Sequence, residues 1–169
     1  DSGTKTLNKT DTVKAFLHLN FFPYSAIDSA KSTIDSVTFT GSFSFSQPSG
    51  TYYIVIKNRN TIETWSKSGG ETFTAGAIMN YDFTDAITKA YQTNLVQIDN
   101  LPVRFALFSG DINQDGIIDA ADISTDENDI LNAVSGYVSS DVTGDDYVDA
   151  SDLSIIENNS INNVVVKKP

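Results

Sequence analysis

Residues 111–122 read Asp-Ile-Asn-Gln-Asp-Gly-Ile-Ile-Asp-Ala-Ala-Asp, and this stretch decides how the second half of the chain folds. Oxygen-bearing side chains stand at positions 1, 3, 5, 9 and 12, and glycine stands at position 6. This is the calcium-loop spacing of EF-hand type, in which carboxylates and one backbone carbonyl surround a hard cation. The candidate ligands of this first loop are Asp111, Asn113, Asp115, Ile117 through its carbonyl, Asp119 and Asp122.

The pattern returns thirty residues later in residues 141–152, which read Asp-Val-Thr-Gly-Asp-Asp-Tyr-Val-Asp-Ala-Ser-Asp. The candidate ligands of this second loop are Asp141, Thr143, Asp145, Tyr147 through its carbonyl, Asp149 and Asp152. The flanks recur as well, since Glu127-Asn128 returns as Glu157-Asn158 and Val134 returns as Val164. Two loops in register with the same flank indicate a duplicated calcium-binding unit.

The second loop departs from the pattern at two positions. Position 3 is the hydroxyl residue Thr143, and position 6 is Asp146 in place of Gly116. Aspartate adopts left-handed backbone geometry less readily than glycine but more readily than most residues. We therefore predict that the second site binds its ion more weakly than the first.

The charge distribution also points to a cation. The net charge of −11 lies wholly on residues 105–169, which hold thirteen acids and two lysines. Two like charges about 5 Å apart repel by roughly 3 kcal/mol at an effective dielectric of about 20, and a divalent ion reverses that term. Oxygen-only ligands in a flexible loop favour Ca²⁺ over Mg²⁺ and Zn²⁺. We predict two Ca²⁺ sites; the alternative is a solvated acidic face.

Composition excludes several other classes of protein. The acidic half lacks the Lys and Arg that nucleic-acid phosphates require. The sequence has no apolar run long enough to predict a segment that spans a membrane. Cysteine is absent, so thiolate chemistry and disulfides are excluded.

Residues 1–109 are predicted to be mainly β. The predicted strands cover residues 11–20, 33–40, 42–46, 51–57, 61–66, 72–74, 78–83, 95–98 and 103–108. Residues 21–32 are predicted as a connection and residues 84–91 as a short helix capped by Thr84. The nearly continuous apolar run in residues 51–57 predicts a central strand covered on both faces. Many short strands without a long helix between them favour a β-sandwich of Greek-key type.

The boundary between the two parts is predicted at Ser109-Gly110, so residues 110–169 form a two-repeat calcium-binding module. Helices are predicted over residues 120–133 and 150–161. Ile118 and Val148, at position 8 of each loop, are predicted to form a short β-bridge. Because the last strand leads directly into the first loop, we expect the two parts to pack together.

Residues 110–164 resemble the dockerin-type calcium repeats of secreted bacterial proteins, which also carry aspartate at position 12, as Asp122 and Asp152 do. Residues 1–109 resemble an immunoglobulin-like sandwich module that precedes such repeats in secreted bacterial surface proteins. The stretches 11–15, 50–57, 63–67 and 79–83 carry that likeness. The resemblance implies an extracellular or cell-surface location. Modules of this kind open with one more alternating strand than this chain has, because residues 1–10 are polar.

A sandwich short of one strand predicts a subunit that completes itself with a strand from a neighbour. Residues 4–10 are the candidate donor strand. Our leading hypothesis is a calcium-stiffened structural subunit that assembles with copies of itself into a helical or linear, pilus-like fibre. The alternative is that residues 4–10 fold back onto their own sheet.

Two other classes of function are weaker on sequence grounds. A dockerin-like or lectin-like binding module would use a cohesin or a glycan stacked on Trp65, Tyr52, Tyr53 or Tyr81. The helices after the loops lack the basic residues with which dockerins grip cohesins, so that partner is not favoured. We predict no enzyme activity, because Glu63, Glu71, Asp82 and Asp85 show no catalytic spacing. His18, the one histidine, has no cysteine to pair with.

Overall fold

The computed structural model describes residues 10–35 and 38–169 as a β-rich chain with two α-helices. The candidate donor strand, residues 4–10, lies outside the described residues except for Thr10. The strands are β1 Thr12–Leu19, β2 Ala26–Thr33, β3 Gly50–Lys57, β4 Thr64–Trp65, β5 Glu71–Phe73, β6 Val96–Asn100 and β7 Val103–Ala106. The helices are α1 Ala120–Leu131 and α2 Ala150–Ile161, with two short 3-10 helices at Ile87–Lys89 and Tyr91–Thr93.

A five-stranded antiparallel sheet forms the centre of the first part. Its strands run in the order β2-β1-β3-β4, and β5 also pairs with β3. From Thr12 to Leu17 on β1, every second residue is buried and the residues between them, such as Lys14, are exposed or half-buried, as the period of a strand requires. On β3 four consecutive residues from Tyr52 to Val55 are buried, because both faces of this strand are covered as its apolar run predicts.

Each face of the sheet has its own cluster of side chains. On one face Leu17, Tyr52, Ile54 and Phe73 are buried beneath Phe45, Met79, Tyr81 and Phe83. On the other face Tyr53, Val55 and Trp65 are buried against Tyr24, Tyr91 and Val166. The contact with Val166 brings the end of the acidic part onto the sheet.

The predicted second strand is wrong. Residues 33–40 were expected to be extended and residues 21–32 to be a connection, but β2 occupies Ala26–Thr33. Residues 34–35 and 38–40 are not in a strand, and residues 36–37 lie outside the described residues. β2 lies at the edge of the sheet, and its side chains are exposed or only half-buried. Such a strand shows no apolar alternation in the sequence, and it forms because its backbone is hydrogen-bonded to β1.

Two further predicted strands, in residues 42–46 and 78–83, are not strands in the structure. Their side chains do alternate: Phe43 and Phe45 are half-buried between exposed serines, and Met79, Tyr81 and Phe83 are half-buried between exposed polar residues. No backbone ladder joins either stretch to another part of residues 10–35 and 38–169. We call residues 42–47 and 78–83 the two unpaired segments.

The predicted helix over residues 84–91 is also wrong. Thr84 does not cap a helix, since its N–H and hydroxyl both donate to Asp82 at 2.7 Å. The chain forms the two 3-10 helices instead, and the first has Ala86 as its N-cap. The predicted strand over residues 61–66 shortens to β4, flanked by single bridges at Thr61 and Ser66.

The later elements follow the sequence more closely. β6 and β7 pair as a separate two-stranded sheet. α2 has the predicted bounds, and α1 ends at Leu131 because Ala133, within its predicted range, is left-handed with φ 49°. No helix in the described part of the chain has the length and apolarity needed to cross a bilayer.

Candidate metal centre

The two predicted loops lead directly into the two helices, and their last acids hold the helix starts. Asp119 accepts a hydrogen bond from the N–H of Ala121 at 2.8 Å, and Asp122 accepts one from the N–H of Asp119 at 3.0 Å. Asp149 and Asp152 form the same reciprocal capping box at α2. The acids at positions 9 and 12 therefore accept hydrogen bonds from free N–H groups at the start of each helix. The helix dipole also stabilises negative charge there.

The position-12 carboxylates tie each loop into a closed ring. Oδ1 of Asp122 accepts the N–H groups of Ile112 at 2.8 Å and Asn113 at 3.1 Å. Oδ1 of Asp152 accepts the N–H of Thr143 at 2.8 Å. Both carboxylates are fully buried, so each loop has a negative charge on its inner side.

Asp111, at position 1 of the first loop, has an unsatisfied oxygen. Its Oδ2 accepts the N–H of Gly116 at 3.3 Å, whereas its buried Oδ1 has no hydrogen-bond partner. Burial, followed by the charge of Asp122, raises the pKa of Asp111 to about 6. A buried carboxylate oxygen without a donor is strongly destabilised unless a proton or a cation neutralises it. The first loop therefore holds a buried negative charge that a bound cation would neutralise.

Two other candidate ligands of the first loop accept hydrogen bonds from the backbone of the loop itself. Oδ1 of Asn113 accepts the N–H of Asp115 at 2.8 Å, and Oδ1 of Asp115 accepts the N–H of Ile117 at 2.9 Å. A carboxylate or amide oxygen that accepts one N–H retains a lone pair for a cation. These bonds hold positions 1 to 7 as a compact turn.

The second loop differs at its first residue. Oδ1 of Asp141 accepts two N–H groups, from Gly144 at 2.8 Å and Asp145 at 3.1 Å. Its Oδ2 lies 3.9 Å from Nη2 of Arg59, a cation supplied by the β-rich part. Asp145 accepts the N–H of Tyr147 at 3.1 Å, as Asp115 does for Ile117 in the first loop. The carboxylate of Asp141 is thus better compensated than that of Asp111.

The acidic side chains do not gather around a single point. Among the described residues, no three Asp, Glu or His side chains are close enough together to hold a metal ion. Ion binding would need side-chain movements and the other oxygens of the loops, including Asn113, Thr143 and the carbonyls of Ile117 and Tyr147. The two Ca²⁺ sites remain a prediction.

The predicted bridge between Ile118 and Val148 is wrong. Instead the N–H of Ile118 donates to the carbonyl of Val164 at 3.0 Å, and the N–H of Val148 donates to that of Val134 at 3.2 Å. Each loop thus pairs with the segment that follows the helix of the other repeat. This crosswise pairing accounts for the recurrence of Val134 as Val164 in the sequence.

A loop of the β-rich part lies between the two repeats, and sequence reasoning missed it. Asn60 donates to the carbonyl of Asp141 at 3.1 Å and accepts the N–H of Gly110 at 2.7 Å. Ile62 is fully buried in a cluster with Ile112, Ile118, Ile156 and Val164. No spacing in residues 58–62 marks them out, because their partners are about fifty to a hundred residues away along the chain.

Arg59 connects three parts of the chain. Its Nε lies 3.7 Å from Oδ2 of Asp11, its guanidinium lies 4.4 Å from the ring centre of Tyr137, and it donates to the carbonyl of Val138. Tyr137 also donates to Asp11, which directly follows the candidate donor strand. This network joins the start of β1 to the linker between the repeats and to the second loop.

The aromatic residues considered for glycan stacking belong mainly to the core. Trp65 is 3% exposed, and Tyr52 and Tyr53 are also buried. Trp65 donates its indole N–H to Glu63 at 2.7 Å, and its ring lies 4.4 Å from that of His18. His18 is half-buried beside the carbonyl of Tyr24 at 2.8 Å, and burial lowers the pKa of its imidazole.

The four acids considered for catalysis have local structural partners. Glu71 forms an ion pair with Lys67 at 3.1 Å, and Asp85 lies 3.7 Å from Lys89. Glu63 bonds to Trp65 and Asp82 to Thr84, as described above. Hydrogen bonds from Thr84 lower the pKa of Asp82.

No protein-family model, curated protein or solved structure matches the chain. The likeness to dockerin repeats and to an immunoglobulin-like sandwich therefore rests on the residues quoted from the sequence. Both remain predictions.

The sixth loop position provides a matched pair of substitutions. Gly116 has φ 90° and Asp146 has φ 81°, so both positions are left-handed. We expect Asp146→Gly to stabilise the second loop by about 1 kcal/mol, because glycine removes the strain of the side chain. We expect Gly116→Asp to destabilise the first loop by at least as much, since its Cβ would lie 3.2 Å from Val166. Thermal denaturation and calcium calorimetry measure both; an Asp146→Gly variant that is less stable would contradict the expectation.

Proposed function

We propose that the protein is an extracellular structural subunit of a bacterial cell surface, stabilised by two Ca²⁺ ions, which assembles with copies of itself by strand donation. The observation that carries the proposal is the pair of unpaired segments. Both pack on the same face of the five-stranded sheet through Phe45, Met79, Tyr81 and Phe83.

The unpaired segments have the side-chain pattern of strands without the hydrogen bonds of strands. Backbone N–H and C=O groups beside a core need partners, either in a ladder or in water. In residues 42–47 some of the contacts come from side chains of β2 and its surroundings. The N–H of Ser46 donates to Asp28 at 2.7 Å, and that of Ser42 donates to Ser32 at 3.2 Å. An added strand would supply a continuous ladder, as in other complexes that complete a sheet with an extended peptide.

The candidate donor strand suits this role by its position and composition. It reads Thr-Lys-Thr-Leu-Asn-Lys-Thr and immediately precedes the first residues of the sheet. At about 3.3 Å per residue, a seven-residue strand extends about 23 Å, which is long enough to pair with a six-residue segment. Three threonines suit a strand environment, and the two lysines bring positive charge to an acidic protein.

Calcium would stiffen the subunit through the contact between its two parts. Ile62 and Asn60 anchor the β-rich part between the loops, and Val166 returns from the end of α2 to the sheet. Each of these contacts forms only when the neighbouring acidic loop is ordered. We therefore expect calcium to control the rigidity of the subunit and of any fibre that it forms.

The test compares the full chain with a chain that lacks residues 1–10. In the presence of Ca²⁺, the full chain should form oligomers or fibres by size-exclusion chromatography and negative-stain electron microscopy. The shortened chain should stay monomeric and should capture a synthetic peptide of residues 4–10. A scrambled peptide is the control.

Two outcomes would contradict the proposal. The first is a monomeric full chain at high protein concentration with Ca²⁺, which would mean that residues 4–10 fold onto their own sheet. The second is assembly of the shortened chain to the same extent as the full chain.

A further inference from the structure

Asp126 on α1 has a buried carboxyl group that no hydrogen-bond donor around it compensates. The residue is 0% exposed, and neither of its carboxylate oxygens has a hydrogen-bond partner. The charges that act on it most strongly are those of Asp152, Asp129 and Asp149, which are all acidic. Two of these, Asp149 and Asp152, are the acids at positions 9 and 12 of the second loop.

The repeat shows how unusual this carboxylate is. Asp126 is residue 16 of the first repeat, and its counterpart in the second repeat is Ile156. Ile156 is also fully buried and packs against the first loop, in a cluster with Ile118 and 3.3 Å from a Cβ built on Gly110. The helix of the second repeat thus supports the loop of the first one through an isoleucine. At the equivalent position of the first helix stands a buried carboxylate, and the charges that act on it include those of Asp149 and Asp152 in the second loop.

No cationic side chain is available in this part of the chain to neutralise Asp126. The sequence has no Lys or Arg between Arg104 and Lys167, and Arg59 contacts Asp141. An unpaired carboxylate in the interior is costly, and its cost falls when a cation is bound nearby. Two of the acids whose charges act on Asp126, Asp149 and Asp152, are among those predicted to hold such a cation.

We propose that Asp126 is a further carboxylate of the second cation site, placed behind the position-9 and position-12 acids and neutralised by the divalent ion that they hold. This inference rests on the proposed calcium binding. It also changes the expected ranking of the two sites, because Asp126 adds a negative charge to the loop that has the weaker donor Thr143. The affinities of the two sites should then be closer than the loop sequences alone predict.

Tyr147 makes the second site observable by itself. It stands at position 7 of the second loop, whereas the first loop has Ile117 there. A tyrosine at this position can transfer excitation to bound Tb³⁺, so tyrosine-sensitised luminescence reports mainly on the second loop. Competition with Ca²⁺ then gives the calcium affinity of that loop, and calorimetry gives the sum of both sites.

The experiment uses the full chain with Asp126→Asn, Asp126→Ile and the control Glu127→Gln. Glu127 is an exposed acid next to Asp126 on the same helix, so the control removes one charge without altering the buried position. We expect both Asp126 variants to weaken Ca²⁺ at the second loop by about 10- to 100-fold, the range found when groups behind metal ligands are removed. Glu127→Gln should change it by less than about threefold, since exposed charges are screened.

A second readout separates this role from that of a merely buried acid. Without metal, Asp126→Ile should raise the midpoint of thermal unfolding, because it replaces an unpaired carboxyl with the residue found in the other repeat. If that midpoint rises while the calcium affinity of the second loop is unchanged, Asp126 is a protonated structural residue and the inference is overturned. If wild-type protein shows no Tb³⁺ or Ca²⁺ binding at either loop, the proposed function itself fails.

Discussion

Removal of calcium with excess EDTA is expected to unfold residues 110–169 while the five-stranded sheet persists. Asp111, Asp122, Asp141 and Asp152 are all at most 1% exposed, so their negative charges lie inside the folded repeats. A ligand present at a thousand times its dissociation constant stabilises the folded state by about 4 kcal/mol per site. Two such sites together stabilise the folded state by an amount comparable to the whole unfolding free energy of an ordinary small domain.

Hydrogen exchange measured by mass spectrometry tests this expectation. The amides of α1 and α2 should lose protection in EDTA, whereas those of β1 and β3 should retain most of it. Refilling with Ca²⁺ should restore the protection, and Mg²⁺ at the same concentration should restore less because it requires a tighter octahedral geometry. Equal protection of both helices with Ca²⁺ and with EDTA at neutral pH would show that the acidic loops fold without an ion.

Replacement of Ile62 by alanine should have the next largest effect. Its side chain is fully buried among Ile112, Ile118, Ile156 and Val164, and its N–H donates to the carbonyl of Phe108 at 2.8 Å. Deleting three methyl or methylene groups from such a site costs about 2–5 kcal/mol. The loss falls on the contact between the β-rich part and the repeats, so the two parts should then unfold in separate steps.

Differential scanning calorimetry with Ca²⁺ present gives the measurement. Wild-type protein should unfold in one transition, and Ile62→Ala should unfold at a lower temperature, with the repeats melting first. Ile98→Ala on β6 is the matched control because this isoleucine is 61% exposed, and its substitution should change the stability by less than about 0.5 kcal/mol. An unchanged melting profile for Ile62→Ala would mean that the two parts are stable without this contact.

The features predicted well from the sequence are those that depend on residues close together in the chain. α2 has the predicted bounds because Asp149 and Asp152 cap it from within the same loop. The left-handed turn at position 6 was read from Gly116, and the same geometry occurs at Asp146. The strand over residues 51–57 was recognised because its apolar run already implied two covered faces.

The predictions that failed concern hydrogen-bond partners that the apolar pattern of the sequence does not reveal. β2 has little apolar character and is a strand because β1 lies beside it. The two unpaired segments have the alternation of strands, but alternation records packing on the sheet and does not supply hydrogen bonds. The crosswise pairing of Ile118 with Val164 was likewise missed, because the sequence shows which residues recur but not which repeat they meet.

The sequence by itself determined the two acidic loops, the helices that follow them and the presence of a central buried strand, because the forces involved act over a few neighbouring residues. Only the tertiary structure decided that Ile62 and Asn60 lie between the loops, that Arg59 reaches Asp141, and that Asp126 is buried without a hydrogen-bond partner. Those positions depend on the burial and charge of groups distant in the chain, which are brought together only when the two parts pack.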